Sequence, residues 1–243
     1  MRHPFFASPR PLVFAHRGGS ALAPENTMEA FDNGLAHGAD GIELDAHLSR
    51  DGVVVVHHDR TLDRTTSLRG PIAGRAADEL RRAGVPTLAE VLDRHREQRV
   101  IVELKVNSDA MAGAAVDVVR RAGAVDRVCF GSFGRQVLRA VRASEPAVAT
   151  SAAREEVRIA LYRSWCRWPA ATAPYGGFQV PVWAGRTRVV SPRFVKDAHR
   201  AGLAVQVWTI DTEDEARRLL DWGVDALITD RPDIIVPLVR TCP

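Results

Sequence analysis

The 243-residue sequence predicts one α/β domain, residues 1–243, of the closed (β/α)8 or TIM-barrel class. Three observations carry this prediction. Short apolar runs of strand type alternate with amphipathic helical runs along the chain. No linker interrupts the alternation. About eight such units in roughly 250 residues is the length of one closed barrel with a parallel sheet. Hydrophobic residues make up 46 % of the chain, enough to fill a large core.

In chain order, strands are expected at 12–16, 40–48, 53–58, 99–106, 127–132, 147–151, 177–182, 204–210 and 226–230. Helix starts are marked by caps. Asn26 stands three residues before Glu29 and should open a helix running to about Leu35. Thr87 with Glu90 opens another, whose apolar face is Leu88, Val91 and Leu92. Ser191-Pro192 combines an N-cap with proline in the first helical position. Thr212 with Glu215 repeats the capping-box spacing, and Gly223 stops that helix.

Nine strands are one too many for an eight-stranded barrel. Asp51-Gly52 explains the surplus, because Asp-Gly is a strong two-residue hairpin signal. Residues 40–48 then form a barrel strand that overshoots the rim, and 53–58 its antiparallel return. With a two-residue loop Arg50 faces Val53, and the pairing runs down to Asp45 opposite His58. Opposed residues share a face, so His58 would stand beside Glu43 and Asp45, whereas a one-residue slip would bring His57. Residues 59–86 read as a short irregular insertion over the barrel mouth, with a helical turn near Ala77–Arg82.

The charged groups on these strands are the functional signal. Side chains two apart on a strand point the same way, so Glu43 pairs with Asp45 and Glu103 with Lys105. An inner strand face does not ordinarily carry two charges, since each unpaired ion costs several kcal/mol on burial. Glu43, Asp45 and Glu103 are the candidate metal ligands. Their hard oxygen donors favour Mg²⁺ or Ca²⁺, with Mn²⁺ compatible, over Zn²⁺. His16 and His58 are the candidate acid–base pair. Arg17 and Lys105 are candidate phosphate ligands, and Gly18-Gly19 would let backbone approach a ligand closely. Trp208 could wall the pocket and cover an apolar part of the substrate. The competing structural reading makes the carboxylates salt-bridge partners of Arg17 and Lys105. His57 is read as structural, His47 and His95 as surface or supporting residues, and Asp230 as a non-catalytic hydrogen-bonder of the last strand.

Composition narrows the partners. The formal net charge is +3, and no basic run is interleaved with aromatics, which argues against nucleic acid. Lysine occurs only at 105 and 196, which singles out Lys105. The three cysteines, 129, 166 and 242, are odd in number and lack metal-type spacing, favouring a reducing, cytoplasmic setting. No apolar stretch is long enough for a signal peptide or a transmembrane span.

The ordered motifs resemble those of the glycerophosphodiester phosphodiesterases. They are Phe14-Ala15-His16-Arg17-Gly18, Pro24-Glu25-Asn26-Thr27, Gly38 to Asp45, His58-Asp59 and Leu62 to Thr66. Pro86-Thr87-Leu88, Glu103-Leu104-Lys105, Val207-Trp208-Thr209, Gly223-Val224-Asp225 and Ile228-Thr229-Asp230 continue the series to about residue 234. The resemblance implies a metal-dependent TIM-barrel hydrolase that cuts glycerophosphodiesters to an alcohol and sn-glycerol 3-phosphate. It implies His16 as base and His58 as acid, a cation on Glu43, Asp45 and Glu103, and phosphate contacts from Arg17 and Lys105. Some members carry a larger insertion where this chain has 59–86, so a broader diesterase or lysophospholipase D-like activity is the alternative. That alternative would use an apolar rim with peripheral membrane contact. The segment 163–185, with Trp165, Trp168, Pro174, Tyr175 and Trp183, is the candidate. A non-catalytic phosphoester-binding barrel would have lost a ligand or a histidine, and this chain has all of them.

Overall fold

The computed structural model describes residues 3–168 and 172–241. Eight parallel strands form the barrel: β1 (Leu12–Ala15), β2 (Gly41–Leu48), β4 (Arg99–Leu104), β5 (Val128–Gly131), β6 (Ala149–Thr150), β7 (Gly177–Pro181), β10 (Ala204–Trp208) and β11 (Ala226–Thr229). The hydrogen-bonded order is β6-β5-β4-β2-β1-β11-β10-β7. A parallel bridge between Ser151 and Gly177 joins the two ends, with the Ala152 N–H donating to the Gly177 carbonyl at 2.9 Å. Helices α1 (Met28–Ala36), α3 (Leu88–Arg94), α4 (Asp109–Arg121), α5 (Arg135–Ser144), α6 (Arg154–Trp165), α7 (Pro192–Arg200), α8 (Glu213–Asp221) and α9 (Pro232–Thr241) cover the outside. Further short elements include α2 (Ala77–Arg82) within the insertion, and a hairpin of β8 (Trp183–Ala184) and β9 (Thr187–Arg188).

Alternation along the strands sorts their side chains. Outward residues such as Ile42, Leu44, Val100 and Val102 pack with the helices. Inward ones, Leu12, Phe14, Ile101, Cys129, Ala149, Ala204, Ala226 and Ile228, fill the barrel below its rim. The N-terminal turn Pro4–Phe6 closes the bottom, with Phe5 stacked on Phe14 at 5.7 Å between centroids. Continuing the same inward registers upward brings His16, Glu43, Asp45, Glu103, Lys105, Gln179, Trp208 and Asp230 to the C-terminal rim, where barrel active sites gather.

The hairpin return exists but is one residue out of the expected register. β3 (Val54–Val56) pairs antiparallel with β2 as Ala46↔Val56, His47↔Val55 and Leu48↔Val54. The loop therefore spans Arg50, Asp51 and Gly52, with Gly52 at φ +78°. Ser49 causes the extra residue: its hydroxyl bonds Asp51 and the Val53 carbonyl, widening the turn. By this register His57, not His58, falls opposite Asp45, and the His57 N–H donates to the Asp45 carbonyl at 2.9 Å.

Two caps also differ from expectation. Thr27, not Asn26, caps α1 by accepting from the Ala30 N–H. Thr212 flanks α8 without a side-chain cap bond. The capping box at Thr87–Glu90 and the Ser191 cap form as the spacing implies. Residues 59–86 build a small satellite core of Leu62, Ile72, Ala77, Leu80 and Val85 against Val55. Cys242 lies outside the described residues.

Candidate active site

The first rim element is the turn after β1. Arg17 has left-handed backbone (φ 50°), and Gly18 follows at φ +90°. A Cβ on Gly18 would sit 2.6 Å from the Ala30 backbone, so only glycine lets this turn close onto α1. The strained turn aims the Arg17 N–H at Glu43 Oε2, 3.0 Å away, and its side chain at Glu25 and Asp45. Arg17 Nε is buried 3.3 Å from Asp45 Oδ2, an ion pair without hydrogen-bond geometry.

Strand register sets the carboxylates. Asp45 and Glu103 are partners across β2 and β4, and Glu43 lies one inward step below Asp45. Lys105 Nζ sits between them, 2.8 Å from Asp45 Oδ1 and 3.2 Å from Glu103 Oε1. Burial acts against the Asp45 charge, but Lys105 and Arg17 overcome it and hold its carboxyl below the usual range. Burial and repulsion from Asp45 push Glu43 up to about 7, and burial also raises Glu103 despite Lys105. Burial opposes the Lys105 charge, but Glu103 and Asp45 outweigh it and raise its pKa.

Two imidazoles flank this acidic group, each held through Nδ1 by an aspartate. His16 Nδ1 donates to Asp230 at 2.7 Å, and its Nε2 faces Glu43 at 3.8 Å. Burial works to lower the His16 pKa, but Glu43 and Asp230 prevail and it is raised. His58 Nδ1 donates to Asp59 at 2.7 Å, leaving Nε2 as its free ring nitrogen. Arg64 holds Asp59 at 2.6 Å and bonds both oxygens of Glu25, which returns to Arg17. Arg64 keeps the Asp59 carboxyl far below its ordinary range.

One cavity of about 170 Å³ is lined by His16, Arg17, Glu43, Asp45, His58, Glu103, Lys105 and Trp208, so every site residue expected from sequence meets there. His58 arrives by a different route from the one reasoned. The strand ends at Val56, the chain bends, and His57 is buried against the Asp59 carbonyl and Thr65, turning His58 to the cavity. His47 is buried and reaches the His58 carbonyl at 3.2 Å, a supporting contact.

Several working parts were missed from sequence. Asn26, read as a helix cap, is buried with φ 58°; its amide donates to Asp45 Oδ2 at 2.8 Å and accepts the Asp45 N–H at 3.2 Å. Glu25, Asp59 and Arg64 belonged to quoted motifs without an assigned task. Asp230 holds His16 and also accepts the Ser20 hydroxyl at 2.6 Å. The signal available for Asp59 was its place directly after a candidate acid–base histidine.

Among the described residues no three His, Cys, Asp or Glu side chains are closed up as a ready metal cage, because Lys105 stands between two of the acids. The donor chemistry nevertheless fits a hard divalent cation. Three carboxylates converge, Glu43 and Asp45 buried and Glu103 half-buried, and the lowest in the barrel, Glu43, has no Lys or Arg side chain of its own and is driven towards protonation.

Residues 16–234 match the model of the glycerophosphoryl diester phosphodiesterase family. A probable glycerophosphodiester phosphodiesterase 2 of Mycobacterium tuberculosis is 33 % identical over 92 % of this chain and 89 % of its own. A glycerophosphodiester phosphodiesterase of Caldanaerobacter subterraneus is 29 % identical over 94 % of this chain and 98 % of its own. Among solved structures, an Oleispira antarctica phosphodiesterase in complex with the product sn-glycerol-3-phosphate superposes with a TM-score of 0.78. It is 27 % identical and covers 96 % of this chain and 98 % of that one.

Proposed function

The chain belongs to the glycerophosphoryl diester phosphodiesterase family and is a phosphoric diester hydrolase; from that premise we propose that it cleaves glycerophosphodiesters to an alcohol and sn-glycerol 3-phosphate with a divalent cation and two histidines. The observation that carries this reading is the pair of imidazoles, each anchored by an aspartate on Nδ1, lining one acidic cavity with Arg17 and Lys105.

In this mechanism Arg17 and Lys105 bind the non-bridging phosphoryl oxygens; both line the cavity. Glu43, Asp45 and Glu103 would hold the divalent cation, Mg²⁺, Ca²⁺ or Mn²⁺. The cation, when bound, polarises the phosphoryl group and offsets its charge. His16 Nε2 takes a proton from the attacking oxygen, of water directly or of the glycerol hydroxyl with water then opening the cyclic phosphate, and His58 Nε2 delivers one to the departing alkoxide. Asp230 and Asp59 fix each ring's orientation and tautomer. Asn26 keeps Asp45 turned towards Lys105 and the ligand site. The buried Cys129 and exposed Cys166, both free thiols, support the cytoplasmic placement. No helix among the described residues is long and apolar enough to cross a membrane.

The test is release of sn-glycerol 3-phosphate from glycerophosphocholine and glycerophosphoethanolamine, and of choline from lysophosphatidylcholine, with EDTA and with Mg²⁺, Ca²⁺ or Mn²⁺ restored. Release that needs the cation is the expected result. Release untouched by the chelator would remove the cation from the mechanism, and no release from any diester would remove the substrate class.

A further inference from the structure

The catalytic cavity is not the largest at the rim. Beside it lies a groove of about 670 Å³, and Glu103, Phe133, Gln179 and Trp208 line both. The two therefore adjoin along these side chains, and the groove lies next to a molecule held at the phosphate position. Its volume falls in the range of about 300–1,000 Å³ that accommodates a whole small ligand.

The groove has a consistent chemistry. Val157, Leu161 and Trp165 of α6 form one wall, and Val180, Trp183 and Val189 the other. Glu103, at the shared mouth, is its one acidic lining residue among those described. Arg154 and Arg158 also line it, and the Arg154 guanidinium lies 4.8 Å from the Phe133 ring centroid at the junction. That cation covers the Phe133 face where the groove meets the phosphate site, and it repels a cationic arm entering there. At the outer lip Tyr162, Trp165 and Trp183 are each more than half exposed, apolar surface that a soluble small diester would leave uncovered.

We propose that this groove binds one ester arm of the substrate and that the arm is uncharged and apolar, an alkyl or acyl chain, rather than a cationic head group. The proposal rests on the diesterase reading, because the lining shared with the phosphate site is what orients the arm. Trp208 and Phe133, in edge-to-face contact at 6.2 Å, form the threshold over which the chain passes.

The experiment uses glycerophosphate monoalkyl esters with methyl, butyl and octyl arms, below micellar concentrations, with glycerophosphocholine as the cationic comparison. Expected kcat/KM rises by roughly two- to fourfold per added methylene until the groove is filled. Glycerophosphocholine ranks below the butyl ester. In the double variant Trp165→Ala/Trp183→Ala, whose altered side chains are surface-exposed, the octyl-to-methyl ratio falls at least tenfold. A rate independent of chain length, a preference for glycerophosphocholine, or an unchanged ratio in the variant overturns the proposal. Calorimetric binding of the same esters to a His16→Ala/His58→Ala variant reads the groove without turnover. Chain-length-dependent affinity there supports the groove even if no ester is hydrolysed, an outcome that would refute the diesterase reading alone. Equal or absent binding of the methyl and octyl esters refutes the groove.

Discussion

Replacing Glu43 by glutamine should inactivate the protein and stabilise its metal-free form. Glu43 is buried among Asp45 and Glu103, and His16 Nε2 stands 3.8 Å away. Burial and the Asp45 charge raise its pKa from 4.5 to about 7 in the folded chain. Between those values the folded state binds more protons than the unfolded one, so stability falls as pH rises and the loss is complete above about 7. At about 1.36 kcal/mol per pKa unit the penalty is on the order of 3 kcal/mol. Glutamine retains an acceptor for the Arg17 N–H, now 3.0 Å from Oε2, without the charge. In EDTA, urea unfolding should therefore give equal stabilities at pH 4 and a gap of about 3 kcal/mol favouring E43Q at pH 8. The same gap read thermally is about 6–12 °C. Adding Mg²⁺ at pH 8 should stabilise the wild type by about 2.7 kcal/mol at a hundredfold excess over its dissociation constant, and E43Q by much less. A pH-independent difference, or a less stable E43Q at pH 8, would refute the reasoning.

Three further outcomes follow from the same geometry. Asn26→Ala strips two hydrogen bonds from the buried Asp45 and should cost about 1–3 kcal/mol in denaturant unfolding, together with weaker Mg²⁺ binding by calorimetry. Asp59→Asn should lower kcat at least tenfold, up to the ~10²–10⁴-fold that a general acid or base supplies, with KM little changed in steady-state assays. Gly18→Ala forces a Cβ against the Ala30 backbone at positive φ and should cost at least about 1–3 kcal/mol, read by thermal unfolding, with a raised KM as Arg17 shifts.

The barrel was legible because its signals are local and repeated. Strand runs, caps and the overshooting hairpin each lie within about ten residues, and all nine expected strands form near their expected positions. The extra hairpin at Trp183–Arg188 was not foreseen, as each arm is two residues long. The site residues on strands were legible because period two places charges on the inner face. The hairpin register was not, since the Ser49 side chain bonds the turn and adds one residue to it. His58 reaches the cavity only because the strand ends at Val56, a bend that alternation does not encode. Asn26 carried two compatible uses, and the capping spacing favoured the local one while the fold uses the long-range one. Asp230 was 214 positions from His16, and nothing in either neighbourhood announces their contact. Lys105 standing between Asp45 and Glu103 is likewise a consequence of strand register that only three dimensions display.

Phosphorus-31 NMR of a glycerophosphodiester mixed with the wild type, His16→Ala and His58→Ala proteins in Mg²⁺ tests the centre of this account. The wild type should convert the diester resonance to that of sn-glycerol 3-phosphate, and both variants should leave it standing for the same period, as should wild type in EDTA. Conversion at the wild-type rate by either variant would contradict a hydrolysis run by two aspartate-anchored imidazoles.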